Sequence, residues 1–507
     1  MDSRQIKLKK GLFNTLVGFG SQFLIIILNL ILPRLFIIRF GSGVNGLIST
    51  ISQLFAYMGL LEAGIGAATV QGLYKPLIDH NNRKISEILS ATKRYYKKVS
   101  VYYFLCVFAL SALFPMLVSS ELGKVEIALI ILLEGLTGVI NFYFQATIKQ
   151  LIIAEGKNYI IYNITLLVRV LTSVAKISLI LLGADLLSIQ ICYFVINLLQ
   201  MKIYHSYFKK SYAWVHLDAS PDFKALEQKQ AFLVEQVLSL VFSNIDIVIL
   251  SIFCGFNTVS IYSVYMLIIA ALTSIINTVH NGLTFLLGQT YFEDKDRYIR
   301  IHDVYETLYM AMIFIIMSVC YTLYIPFLKL YTSGVDINYI DYHLPLLFIL
   351  IQLLSCIKLV PGTLIQISGH LKETVPRIIL EAVINLVLSI VLVNYLGIYG
   401  VLLGTCIALV YRANDIIFYA NKRILHRKAR GTYKKVIGNA LVFGVVYVVN
   451  GLIDLSVTSY VALFICGLIV GIGVAGTYLV VNFLLDRNSF HYVYHTLKNI
   501  LGSKGNA

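Results

Sequence analysis

The stretch LFNTLVGFGSQFLIIILNLILPRLFIIRF, residues 12–40, is the strongest constraint on this chain. A sheet strand needs only about 5 to 6 residues, whereas a helix crosses a bilayer with about 20 mostly apolar ones. A second run, LISTISQLFAYMGLLEAGIGAATVQGLY, fills residues 47–74. Between the two, residues 41–46 read GSGVNG, which matches G-x-G-x-x-G letter for letter. In a dinucleotide site that motif follows a buried strand, opens a soluble helix and is answered by an acidic ribose ligand about 20 residues on. Here it joins two membrane spans, and the nearest carboxylate, Glu62, lies inside the second. The motif therefore reads as a tight turn between spans, with glycines supplying positive φ at little cost.

The rest of the chain continues in this manner. Of 507 residues, 58% are hydrophobic and only 13% charged, and the mean hydropathy of +0.80 requires most of them to sit in lipid or in helix-on-helix contact. Apolar windows bounded by charge or Gly/Pro predict an all-α polytopic membrane protein of about fourteen transmembrane helices. They centre near residues 25, 60, 108, 135, 170, 193, 243, 272, 317, 353, 385, 408, 445 and 470. No short apolar segment with a small-residue cleavage site opens the chain, so the first run is expected to remain as a span. The seven cysteines fall in apolar stretches without C-x-x-C or zinc spacing and read as small core residues. No metal, cofactor or catalytic residue is expected.

Orientation follows from the basic residues. Alternate connections, taken with both termini, hold 33 of the 41 lysines and arginines, and the opposite connections hold almost none. By the positive-inside rule both termini face the cytoplasm. The net charge of +15 is mostly this topology signal, and nucleic acid is not an expected partner. The tail RNSFHYVYHTLKNILG mixes aromatics with bases and is expected to lie along the inner leaflet. His491 and His495 within it have i, i+4 spacing without an acidic partner, and read as interfacial side chains.

Aligning Gly41 with Gly255 overlays FGSGVNGLIST on CGFNTVSIYSV, each a short outer turn, and each following span runs into a charged inner loop. Six spans per copy give halves of the same orientation, as in transporters with parallel repeats. The expected organisation is a six-helix lobe over residues 1–208, a cytoplasmic linker over 209–228, a second six-helix lobe over 229–424, and an extra helix pair with a tail over 425–507.

Charges inside the spans are informative, because each costs about 2.5 to 3.5 kcal/mol at the bilayer centre if it faces lipid. Arg169, Thr172 and Lys176 share one face of the fifth span, and Glu235, Ser239, Ser243 and Asp246 form a stripe on the seventh. Glu134, Asn141 and Gln145 line the fourth span, and Arg377, Glu381 and Asn385 the start of the eleventh. Arg34, Lys358 and Arg412 complete the set. Two readings stand side by side. These residues are interhelical salt bridges, or they line a hydrated central cavity of cationic character suited to an anionic headgroup. On the second reading Arg34, Arg169, Lys176, Lys358 and Arg412 bind substrate, while Glu62, Glu134, Glu235, Asp246 and Glu381 serve ion coupling or salt bridging.

Residues 32–77, LPRLFIIRFGSGVNGLISTISQLFAYMGLLEAGIGAATVQGLYKPL, resemble polysaccharide-biosynthesis flippases. These form the Wzx-like branch of the multidrug/oligosaccharidyl-lipid/polysaccharide exporter superfamily. The resemblance lies in an arginine-bearing end of the first helix, a glycine turn, N-G-L, E-A-G-I-G, and L-Y-K-P-L entering a basic loop. NIDIVILSIF, residues 244–253, looks like the start of that family's second half. The resemblance implies two six-helix lobes opening alternately. It also implies a polyprenyl-diphosphate-linked glycan as substrate, carried across the cytoplasmic membrane, with the polymerase and glycosyltransferases of the same pathway as partners.

Three alternatives are weighed. A lipid II flippase is close kin. A drug or cation antiporter of the same superfamily typically stops at twelve spans and relies on central acids. A membrane glycosyltransferase is suggested only by the D-x-D of residues 294–296, in a short inner loop beside Glu293 and Arg297. It would require a catalytic domain or a long outer loop, and the longest outer connection is about a dozen residues near 332–343. No Walker motif or G-x-S-x-G supports ATP or serine chemistry.

Overall fold

A computed structural model describes residues 27–28, 30–62, 64–118, 120–155, 157–226, 245–453, 455 and 457–502. The described residues are helical with connecting turns and contain no strand. Among the described residues eleven helices are long and apolar enough to cross a membrane, and they coincide with eleven of the fourteen expected centres. Of the other three, those near 25 and 243 lie largely outside the described residues. The one near 60 is an interrupted helix. The chain divides into two compact units, Met1–Ser260 and Ile261–Ala507.

The first unit begins with α1 (residues 30–40) and α2 (Ser42–Met58). The expected turn over 41–46 contracts to one residue. Gly41 alone takes positive φ (83°), and Ser42 to Gly46 already form the first turn of α2. Gly46 is required for a different reason: a Cβ there would lie 1.9 Å from the carbonyl oxygen of Phe256. The second glycine turn, at Gly255, also has positive φ (79°), and it starts α10 (Phe256–Glu293). Asn45 Nδ2 donates to Ser260 Oγ at 2.8 Å, so the starts of α2 and α10 meet within this unit.

Glycine also breaks the second span. After α2 a short 3-10 turn, Gly59–Glu62, leads to Gly64 in the left-handed region, and α3 (Ile65–Ile78) follows. The chain then forms α4 (Asn82–Leu117) and α5 (Lys124–Ile140). A π-helical turn, Asn141–Gln145, comes next, followed by α6 (Ala146–Ala154), α7 (Asn158–Leu181) and α8 (Leu186–Ser211). Tyr96, Tyr103 and Phe142 pack with Ile65, Val99 and Val107 between α3, α4 and α5. The stretch after α8 folds back against α4. Ser90 Oγ donates to the Ala219 carbonyl at 2.6 Å, Lys84 pairs with Asp222 at 2.8 Å, and Tyr212 and Val215 are buried with Leu73 and Leu89. Residues 245–253 form α9.

The second unit contains the remainder of α10 and then α11 (Lys295–Tyr331), α12 (Leu344–Ile357), α13 (Leu359–Ile367), α14 (Leu371–Leu396) and α15 (Ile398–Tyr419). Pro361 has no N–H for the carbonyl of Ile357, which places the break between α12 and α13 at Lys358. Shifted by the 214 residues that separate Gly41 from Gly255, the π turn 141–145 falls on 355–359. The fourth span of each repeat copy is therefore interrupted at the same place by different means. α14 and α15 pack closely because Gly400 and Gly404 face the backbone of Leu392 and Ser389, where a Cβ would clash.

The last helices are α16 (Arg430–Leu452), α17 (Tyr460–Leu485) and the amphipathic α18 (Arg487–Gly502). Polar contacts fasten α16 and α17 to α11. Lys435 Nζ lies 3.0 Å from Glu306 and 3.3 Å from Asp486, Arg427 lies 2.7 Å from Asp303, and Ser318 meets Tyr478 at 2.8 Å. The amides of Asn439 and Asn482 bond each other at 3.0 and 2.7 Å. Burying such groups is tolerable only with partners, so the helix pair is held specifically to α11 rather than by apolar contact alone.

Candidate functional site

Intramembrane charge gathers at the interruption of the fourth span of each repeat copy. In the second unit Lys358 sits in the break itself, and its Nζ lies 2.7 Å from Oε1 of Glu381 on α14. The other oxygen of Glu381 lies 3.3 Å from Arg412 Nε on α15. Arg412 reaches on through an N–H to Asp415 at 2.6 Å, and the second oxygen of Asp415 accepts from Arg377 at 2.7 Å. The spacing explains the ladder: Arg377 and Glu381 are i, i+4 on α14, Arg412 and Asp415 are i, i+3 on α15, and each pair presents one face. Arg377 also lies over the Tyr419 ring, 4.9 Å from its centroid. Three cations meet two carboxylates in this ladder. It retains one formal positive charge, and Arg377, at 39% side-chain exposure, is its most open member.

In the first unit the interrupted second span and the π turn face each other. Tyr96 OH donates to Glu62 Oε1 at 2.8 Å and accepts from Gln150 Nε2 at 3.1 Å. Gly66, just past the Gly64 break, lies so close to Gln150 that a Cβ would stand 2.8 Å from its amide nitrogen. Lys149 Nζ reaches back along the helix to Asn141 Oδ1 at 2.6 Å and lies 5.1 Å from the centroid of Tyr204. A π turn widens the helix by one residue, which brings Asn141 and Lys149 into reach across it. Lys149, one of the 33 basic residues assigned from the sequence to the inner connections and termini, belongs to the fourth span.

The remaining expected residues are dispersed. Lys176 on α7 lies over the Tyr193 ring of α8 at 4.5 Å, with Glu134 near enough to act on its charge. Glu134 itself accepts a hydrogen bond from Gln190. Arg169 is exposed and forms no salt bridge with a described residue. Asp246 on α9 is buried, and Arg34 is half-buried on α1. Glu235 lies outside the described residues. The structure thus joins Lys358, Glu381 and Arg412 in one ladder and leaves Arg169 outside any ion pair among the described residues. Sequence reasoning missed Asp415, although R-x-x-D on a helix was a readable signal, and it missed Lys149, Tyr96 and Gln150, whose meeting needs a π turn that no local pattern announces.

No family profile matches the sequence, and no curated protein matches it. Solved structures match its fold. Similarity to the lipid II flippase MurJ in an inward closed conformation gives a TM-score of 0.69 at 14% identity, covering 93% of this chain and 99% of that one. An inward-facing multidrug-resistance MATE family transporter of the MOP superfamily gives 0.66 at 17% identity, covering 79% and 94%. A MOP superfamily transporter from Pyrococcus furiosus gives 0.56 at 15% identity, covering 80% and 93%. At these identities the likeness is one of fold. The chain is an all-helical, multi-pass membrane protein with the fold of MOP-superfamily transporters and flippases.

Proposed function

We propose that this protein is a flippase that moves polyprenyl-diphosphate-linked oligosaccharide repeat units from the inner to the outer leaflet of the cytoplasmic membrane, for assembly of a capsule, exopolysaccharide or O-antigen. The observation that carries this reading is the positive charge left without an acidic partner at two places within the spans. The ladder in the second unit keeps one positive charge beyond its two carboxylates, and Arg169 stands outside any ion pair among the described residues. A diphosphate carries at least two negative charges, and its passage through a low-dielectric region requires compensating cations nearby. On this reading Arg34, Arg169, Lys176, Lys358 and Arg412 serve the headgroup, and lobes 1–208 and 229–424 alternate in exposing it, both termini being cytoplasmic.

The lipid II flippase likeness supports a lipid-linked substrate and extends over nearly the whole chain, whereas the MATE transporter at 0.66 covers 79% of it. A lipid II substrate is the second reading, favoured by that same likeness. Deletion of the gene separates them. The flippase reading expects loss of one surface polysaccharide while its lipid-linked repeat unit accumulates in the inner leaflet. Accumulation of lipid II instead selects the second reading, and failure to complete the repeat unit would place the protein in synthesis.

A further inference from the structure

His280 lies on α10 in the second unit and is buried. Its Nδ1 stands 2.6 Å from the Tyr305 hydroxyl of α11 and its Nε2 2.9 Å from the Thr363 hydroxyl of α13, one turn past the Lys358 break. The rings of Tyr305 and Tyr309 flank it at 6.1 and 5.8 Å between centroids, and Cys356 of α12 lies behind Tyr309. Tyr305 and Tyr309 on α11 and Thr363 on α13 are among the groups around the imidazole. By the repeat offset His280 stands where the first copy has Gly66, and Thr363 where it has Lys149. In the first copy Gln150 packs against a bare glycine at this place, so the imidazole has no counterpart there.

Neutral imidazole has one N–H donor and one bare acceptor, while imidazolium has two donors. A hydroxyl can donate or accept by rotating its proton. With a hydroxyl at each ring nitrogen, both neutral tautomers and the cation are hydrogen-bonded in the same heavy-atom arrangement. A partner fixed as donor or acceptor, such as a backbone group, would select one state. Histidine within a membrane span is a group whose charge changes between about pH 5 and 8 unless its surroundings forbid it.

We propose that His280 is a proton-binding site of this protein. A proton arriving from water adds to the bare ring nitrogen, and the hydroxyl that had donated there rotates to accept. The load bears on the junction of α10, α11 and α13, and, resting on the transport reading above, it tunes the cycle to pH.

The test begins with ring-15N-labelled histidine in the full chain in nanodiscs, where the His280 signals are identified by their loss in His280→Gln. Glutamine can bond both hydroxyls but does not titrate. The expected result is a change of protonation within about pH 5 to 8, with the midpoint displaced in Tyr305→Phe and in Thr363→Val. Signals that hold one protonation state throughout that range would overturn the proposal. Should His280→Gln not fold, Thr363→Val supplies the assignment through its displaced signals. Thermal unfolding gives an independent reading: the wild type changes stability with pH over this range, and His280→Gln removes that component. An unaltered slope counts against the site. Neither measurement involves a transported molecule, so their outcome stands apart from that of the flippase reading.

Discussion

Arg412 Nε stands 3.3 Å from Glu381 Oε2, and the two side chains are only 6% and 5% exposed. A charge pair this deep is weak evidence of net stabilisation, since desolvation offsets attraction. Removing one partner is nevertheless costly, because the other remains as a buried charge.

The Glu381→Gln variant is therefore expected to lose about 3 to 5 kcal/mol, since it strips Lys358 and Arg412 of their shared carboxylate. Thermal unfolding in detergent measures this. Combining it with Lys358→Gln should cost less than the two single losses added, because Arg412 keeps Asp415. Strict additivity would mean that the ladder is not a coupled unit.

Arg169 should behave in the opposite way. It is exposed and forms no ion pair among the described residues, so Arg169→Ala is expected to leave stability within about 0.5 kcal/mol while abolishing polysaccharide export. Arg169→Lys should keep part of the export. Loss of both stability and export in Arg169→Ala, measured on purified protein and on cells, would assign Arg169 a structural role.

Gly46 tests the packing of α2 on the start of α10. A Cβ there would come 1.9 Å from the Phe256 carbonyl oxygen, whereas at Gly43 its nearest neighbour is the Asn257 side chain at 3.4 Å. Gly46→Ala is expected to cost about 1 to 3 kcal/mol by forced backbone displacement. Gly43→Ala should be tolerated, and equal melting temperatures for the two variants would contradict this account of the close approach.

Orientation is testable at exposed sites. Asn338 lies in the connection between α11 and α12, and Lys210 at the end of α8; both are exposed, whereas Val215 nearby is buried and would resist labelling on either side. In intact cells a cysteine at 338 should react with an impermeant thiol reagent, and one at 210 should react only after permeabilisation. The reverse pattern would invert the topology and the direction of transport.

Membrane insertion, helical class and most of the span positions were determined by sequence alone. Water is absent from the bilayer core, so the backbone must bond within each helix, and runs such as 344–367 or 460–485 have no other outcome. The two glycine turns were legible as well, since Gly41 and Gly255 each end a helix at positive φ. The pairing of charges was decided by tertiary structure. Periodicity set Arg377 with Glu381 on one helical face. Only the packing of α14 on α15, permitted by Gly400 and Gly404, and the Pro361 break that frees Lys358 brought five charges into one ladder. In the same way Lys149 entered the membrane through a π turn, and His280 gained its two hydroxyls from helices 25 and 83 residues away. Such contacts depend on which faces meet across long sequence separations, and local pattern carries no record of that.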